Sequence, residues 1–297
     1  MKKILIFILV GFSFNLSFAQ DWMTNLEVAE RLALAQNKLI VAVWQNSYFN
    51  GIPAFVDNNK GEQVFVENII DEPVVDSLLW AHFIPVMLLE DDYEKLYKRI
   101  ENRSNDYKTK FSDDSFKVMD ANGNILNVTA NNYMLNLTNF LHKYSMDMSF
   151  LETKMINYKK EKNFYSAFYV GAQYLDFAFF AKQEVRPELA DLAGIYLDEA
   201  AGYINTEPEE SRAAITQRVH LLNIQKYLIL ERPNKVLRQL KRIKEDEVAA
   251  VNKNLRSFLY YSAYTMLHDT ENVAVWQPNV TALDRRKLMS LMSNIPH

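Results

Sequence analysis

The chain has 297 residues, of which 49% are hydrophobic and 24% charged, with seven glycines and eight prolines. That length suits two domains of ordinary size, and that balance excludes disorder and disfavours an all-β sandwich. A formal net charge of −4 argues against nucleic acid as a partner. The lack of any cysteine excludes disulfides, thiol chemistry and a lipid-modified N-terminal cysteine.

Residues 1–19 read as a leader rather than as part of the fold. Lys2 and Lys3 make a positive start, and Ile4 to Val10, extended by Phe12, Phe14 and Leu16, makes an apolar run. Ser17-Phe18-Ala19 fits the small-x-small rule for cleavage, with Gln20 as the first mature residue. The run is shorter than the roughly 20 apolar residues of a membrane span. The expectation is an exported protein, periplasmic or secreted, of a bacterial envelope. It would keep no stable membrane anchor after cleavage and would carry a mature charge of −6.

Residues 20–144 read as an α/β domain. Thr24-Asn25-Leu26-Glu27 predicts a capping box at the start of a helix whose face carries Leu26, Ala29, Leu32, Ala33 and Gln36. Leu39 to Trp44 is a short apolar run, the pattern of a buried strand. Pro73 suits the first turn of a second helix, with Val74, Val75, Leu78, Leu79 and His82 on one face, and Phe83 to Leu89 predicts the next buried strand. A charged helix is expected over Tyr93 to Glu101. A hairpin is expected from Phe116–Met119 and Asn124–Val128 about the turn Asp120–Gly123, and a helix with Met134, Leu137 and Leu141 on one face closes the unit.

Three stretches resemble the thioredoxin-like family in the family's own order: residues 26–44, 67–89 and 116–126. The resemblance implies a thioredoxin-like fold. It also shows what is missing, because the family's Cys-x-x-Cys follows the first buried strand at a helix N-terminus, where the helix end lowers the first thiol's pKa. Carried across by this resemblance, Tyr48 falls on the Trp before the motif. Phe49 and Ile52 fall on the two cysteines, with Asn50 and Gly51 between them, and Asp114 falls on the family's cis-proline. A loop, Pro53 to Phe65, interrupts the helix expected there. The resemblance therefore implies a redox-inactive module with neither cofactor nor metal.

In that topology the ends of both parallel strands and the loop before the hairpin meet at one edge. The edge would carry Asn46, Asn50, Glu90, Asp91, Asp92, Asp113 and Asp114 beside Tyr48 and Phe49. One reading is an acidic recognition site with an aromatic floor. The other is a set of solvated loops, with Asp91 or Asp92 capping the next helix. Asp120-x-Asn122-Gly123-Asn124 lacks the downstream Glu of a calcium loop, and a hairpin turn accounts for it. The histidines His82, His142, His220 and His268 lack ligand spacing.

Residues 145–297 read as all-helical, arranged as helical hairpins or a degenerate tetratricopeptide-like stack. Helices are expected near 148–160, 163–182, 187–204, 208–230, 233–244, 247–267 and 281–292, the fourth opened by a capping box at Thr206 and Glu209. Phe164, Tyr165, Phe168, Tyr169, Tyr174, Phe177, Phe179 and Phe180 make one helix aromatic nearly all round, which fits either a central helix or a recognition surface. Lys235, Arg238, Lys241 and Arg242 share a face that fits an anionic partner or solvent. The whole predicts a non-catalytic binding or scaffold protein with a protein or peptide partner. The alternatives are a peptide-holding chaperone or an enzyme using the Asn/Asp edge.

Overall fold

The computed structural model describes residues 21–58, 60–128 and 134–293, so the expected leader lies outside the described residues. Helix α1 (Leu26–Gln36) is capped by Asn25, whose side chain accepts the Val28 N–H at 3.1 Å. The expected box on Thr24 is thus displaced by one residue, onto a side chain that caps at least as well. Strand β1 (Leu39–Trp44) is buried along its whole length. Helix α2 (Gln45–Asn50) follows at once.

The stretch expected as an interrupting loop is instead a hairpin of β2 (Ala54–Asp57) and β3 (Gln63–Val66). Its apolar runs are too short to display a period. The Asn58 side chain builds its turn by accepting the Lys60 and Glu62 N–H groups at 2.8 and 2.9 Å. Helix α3 (Pro73–His82) has proline in its first turn and buries Val75, Asp76 and Leu79, while Val74, expected on that face, is 80% exposed. Strand β4 (Phe83–Leu88) follows.

The charged helix α4 stops at Lys98 (Tyr93–Lys98), and an unforeseen helix α5 (Asn105–Ser112) comes next. The sequence of α5 is mostly polar, and only Tyr107 and Phe111, four residues apart, mark its buried face. Strands β5 (Lys117–Met119) and β6 (Ile125–Val128) form the expected hairpin. Strand β7 (Leu135–Asn136) leads into α6 (Leu137–Tyr144), which buries Leu137, Phe140 and Tyr144. Met134 precedes that helix and is exposed.

The described residues thus form a mixed α/β first half with two small sheets. The larger has the order β4-β1-β5-β6, with β1 parallel to β4 and antiparallel to β5; the smaller is β3-β2-β7. From Glu152 onward the described elements are helices: α7 (Glu152–Lys160), α8 (Phe164–Ala178), α9 (Arg186–Gly202), α10 (Glu209–Ile229), α11 (Pro233–Leu240), α12 (Lys253–Met266), α13 (Thr270–Trp276) and α14 (Ala282–Ser293). The capping box in this half belongs to Asn163 and Ser166. At the position expected for one, the Thr206 hydroxyl donates to the Tyr203 carbonyl at 2.7 Å and Pro208 takes the cap.

The alternation of β1 splits the core. Ile40, Ala42 and Trp44 face Ala29 and Ala33 of α1 and Phe111 of α5. Leu39, Val41 and Val43 face a larger cluster that continues through Phe140 and Tyr144 of α6 into Tyr174, Tyr196 and Leu228 of the helical half. One apolar core therefore runs from the sheet into the helices. Gly171 allows α8 and α9 to approach, since a Cβ there would stand 2.9 Å from Leu197 Cγ.

Candidate functional site

Two hydrogen bonds link the segments on which the expected edge residues lie. The Gln45 side chain accepts the Glu90 N–H at 3.4 Å, and the Ser47 hydroxyl donates to the Asp114 carbonyl at 2.8 Å. The ends of β1 and β4 and the loop before β5 are thereby tied to each other. Tyr48 turns inward, its ring edge-on to Trp22 at 5.4 Å, and Trp22 donates to the buried Asp76 at 3.0 Å. Burial pushes the Tyr48 hydroxyl pKa up, and Asp21, Asp76 and Asp71 push it the same way.

Phe49 points outward at 69% exposure, with its ring 5.5 Å from Tyr48. Ile52 packs on the core, and its N–H is held by the Asn68 side chain at 2.9 Å. Asn46 and Asn50 are exposed. The backbone here differs from the expectation. Helix α2 ends at Asn50, and Gly51 leaves it at φ 80, so Phe49 and Ile52 flank a helix C-terminus and not an N-terminus. The N-terminus of α2 lies at Gln45, four and seven residues before these positions.

Glu90 and Asp91 are exposed in the turn after β4. Asp92 sits at the cap of α4 without a side-chain capping bond. Asp113 is spent locally, accepting the Ser115 N–H at 2.7 Å and the Ser115 hydroxyl, while Asp114 is exposed. An open groove of about 700 Å³ adjoins this edge, lined by Tyr93, Tyr97, Lys108, Ser112 and Asp113 among others.

Sequence reasoning missed the cation beneath. Lys117 of β5 is fully buried, with its ammonium donating to the Asp113 carbonyl and, at 3.3 Å, to the Ser115 carbonyl. It also stands 5.7 Å over the Trp44 ring. Burial pulls its pKa down to about 8, against the opposing pull of Asp113, Asp114 and Glu90. A lysine inside an apolar strand run was the available signal.

A second polar surface lies where the halves meet, a cleft of about 770 Å³ lined by Glu30, Arg99, Arg103, Asn122, Lys159 and Glu199 among others. The buried Glu30 accepts a hydrogen bond from Arg99 at 2.6 Å and forms an ion pair with Lys159 at 3.6 Å. Arg103 and the Tyr158 hydroxyl both reach Glu199, at 3.9 and 2.8 Å. The charges of the cleft are thus matched mainly to one another. Below it, Asp120 accepts the Asn122 and Asn124 N–H groups at 2.8 and 3.0 Å and the hydroxyls of Tyr174 and Tyr196. Burial raises the Asp120 pKa despite these donors.

The aromatic helix α8 divides between both readings. Phe164 and Tyr174 are buried and Phe168 is half-buried, while Tyr165 and Tyr169 are 44% and 47% exposed, with Lys154 lying 5.2 Å over the Tyr169 ring. Among the described residues no cluster of histidine and carboxylate side chains is arranged to hold a metal. The strand-end edge thus carries an exposed aromatic ring at Phe49 and exposed carboxylates at Glu90, Asp91 and Asp114. In comparisons with known proteins, no family model, no curated protein and no solved structure matches this chain.

Proposed function

We propose that this chain is an exported, non-catalytic binding or scaffold protein: a thioredoxin-like module without its dithiol, joined to a helical domain that frames it. The strand order β4-β1-β5-β6, with one parallel pair followed by an antiparallel hairpin, supports the thioredoxin-like assignment. So does the bridge between Met23 and Val86, which adds a residue pair at the far side of β4. The lack of cysteine removes the thiolate that such a module would need for exchange.

The observation that carries the binding reading is the exposed Phe49 ring on an edge whose three loops are tied together. An exposed apolar side chain on an edge that also carries Glu90 and Asp114 suits a recognition patch. The partner is a protein or peptide. The test is capture of a partner from envelope extract by wild type, Phe49→Ala and Asp114→Lys, with thermal melts alongside. The reading expects capture by wild type, loss in both variants and unchanged melting. Equal capture by all three proteins would overturn it.

A further inference from the structure

Among the described residues, the β2–β3 hairpin leaves one strand edge open. β3 is the outer strand of its sheet and, among the described residues, pairs with β2 alone, through Ala54↔Val66 to Asp57↔Gln63. Among the described residues no backbone hydrogen bond reaches its other side. Edge strands are commonly protected by proline, lysine or a bulge, and Gln63-Val64-Phe65-Val66 has none of these. Val64 and Phe65 are instead 48% and 52% exposed, and Phe65 meets Phe55 edge-on at 5.8 Å. Because neighbouring residues of a strand point to opposite faces, apolar side chains are offered on both sides of the open edge.

The charges around the edge define the occupant. Asp57, Glu62, Glu67, Asp71 and Glu72 surround the hairpin, with Lys60 as the only cation of the stretch 54–72, and none of these carboxylates makes a described salt bridge. A second copy pairing antiparallel about Val64 and Phe65 would set Glu62 opposite Glu67 twice, which disfavours it. We infer that β3 is a docking edge for an extended peptide strand with alternating apolar residues and basic flanks, bound main chain to main chain. This names the partner class of the binding protein proposed above and rests on that reading.

The probe is fluorescein-labelled Lys-Val-Thr-Phe-Thr-Val-Lys, titrated with the purified protein and followed by anisotropy. Saturable binding that weakens with salt is expected, and a peptide with Glu in place of both Lys should bind at least about tenfold more weakly. Glu62→Lys with Glu67→Lys should reverse that preference. Amide groups alternate in direction along a strand, so one of Val64→Pro and Phe65→Pro removes an outward N–H and spares the hairpin. The variant that melts like wild type should lose the peptide. The proposal is overturned if both peptides bind equally or neither binds. It is also overturned if the charge reversal changes nothing, or if sedimentation shows a dimer through β3 that excludes the peptide. Loss of the peptide in Phe49→Ala but in neither proline variant would place it at the strand-end edge, sinking this proposal and sparing the binding reading. Peptide binding that needs β3, with no partner captured through Phe49, would keep this proposal and remove Phe49 from the partner site.

Discussion

The Tyr196 hydroxyl of helix α9 donates to the carboxylate of Asp120 in the β5–β6 turn, with both groups buried and 76 positions apart in the chain. Tyr174 of α8 donates to the same oxygen at 3.3 Å, and Asn122 donates to the Tyr196 hydroxyl at 2.9 Å. The hairpin turn of the sheet is thus a socket for the helical half. Removing the acceptor strands two buried hydroxyls, whereas removing one hydroxyl leaves the carboxylate its other donors. Each stranded polar group costs about 1–3 kcal/mol. Asp120→Ala should therefore destabilise the protein by more than Tyr196→Phe, and the double variant should show coupling between them. Urea denaturation of the four proteins measures both.

Asp120 also gives the fold a pH dependence. Its folded pKa is raised, with burial as the largest cause, so the native state holds the proton more tightly than the unfolded chain does. The resulting stability is fully present below the ordinary carboxylate value of 3.8 and is lost as pH rises through the folded pKa. Asp120→Asn should therefore gain on wild type as pH rises from that value. Parallel stability-against-pH curves for the two proteins would contradict it.

Lys117 has the opposite sign. Its pKa falls to about 8 on folding from 10.5, so the unfolded chain binds more protons between those values and stability should rise with pH across them. The slope within the window is roughly 1.4 kcal/mol per pH unit. Lys117→Met removes this titrating group, and denaturation between those two pH values should show a steeper rise in wild type than in the variant.

Two glycines at left-handed backbone give a controlled comparison. Gly123 has φ 73, and a Cβ there would stand 2.7 Å from the Glu30 carboxylate that holds Arg99 and Lys159. Gly61 has φ 78, with nothing within 4 Å of such a Cβ. Both alanine variants bear the backbone cost of about 1 kcal/mol, and only Gly123→Ala also disrupts the ion cluster. Gly123→Ala should melt at the lower temperature. Equal melting temperatures would show that Glu30 can move aside freely.

Phe49→Ala should leave stability within about 0.5 kcal/mol of wild type, as substitutions at exposed positions do. Truncation of Phe83, fully buried against Phe140, should cost about 3–5 kcal/mol. Thermal melts separate the two at once.

The sequence by itself determined the pieces whose causes are local. Apolar runs marked β1 and β4, prolines marked the starts of α3 and α11, and Asp120-Ala-Asn-Gly marked the turn of the β5–β6 hairpin. The expectation that the strand ends share one edge came from the resemblance, and the structure ties Gln45 to Glu90 and Ser47 to Asp114 there. The sequence did not reveal the β2–β3 hairpin, whose runs are four residues each, or the end of α2 between Phe49 and Ile52. Nor did it mark Lys117, Glu30 and Asp120 as buried, since charged residues in a strand, a helix and a turn read as solvated. Their fate was decided by tertiary structure alone. Lys117 is closed in by the Trp44 ring, Glu30 by Arg99 and Lys159, and Asp120 by tyrosines 54 and 76 positions away, and a contact at such distances leaves no period or spacing in the sequence around either partner.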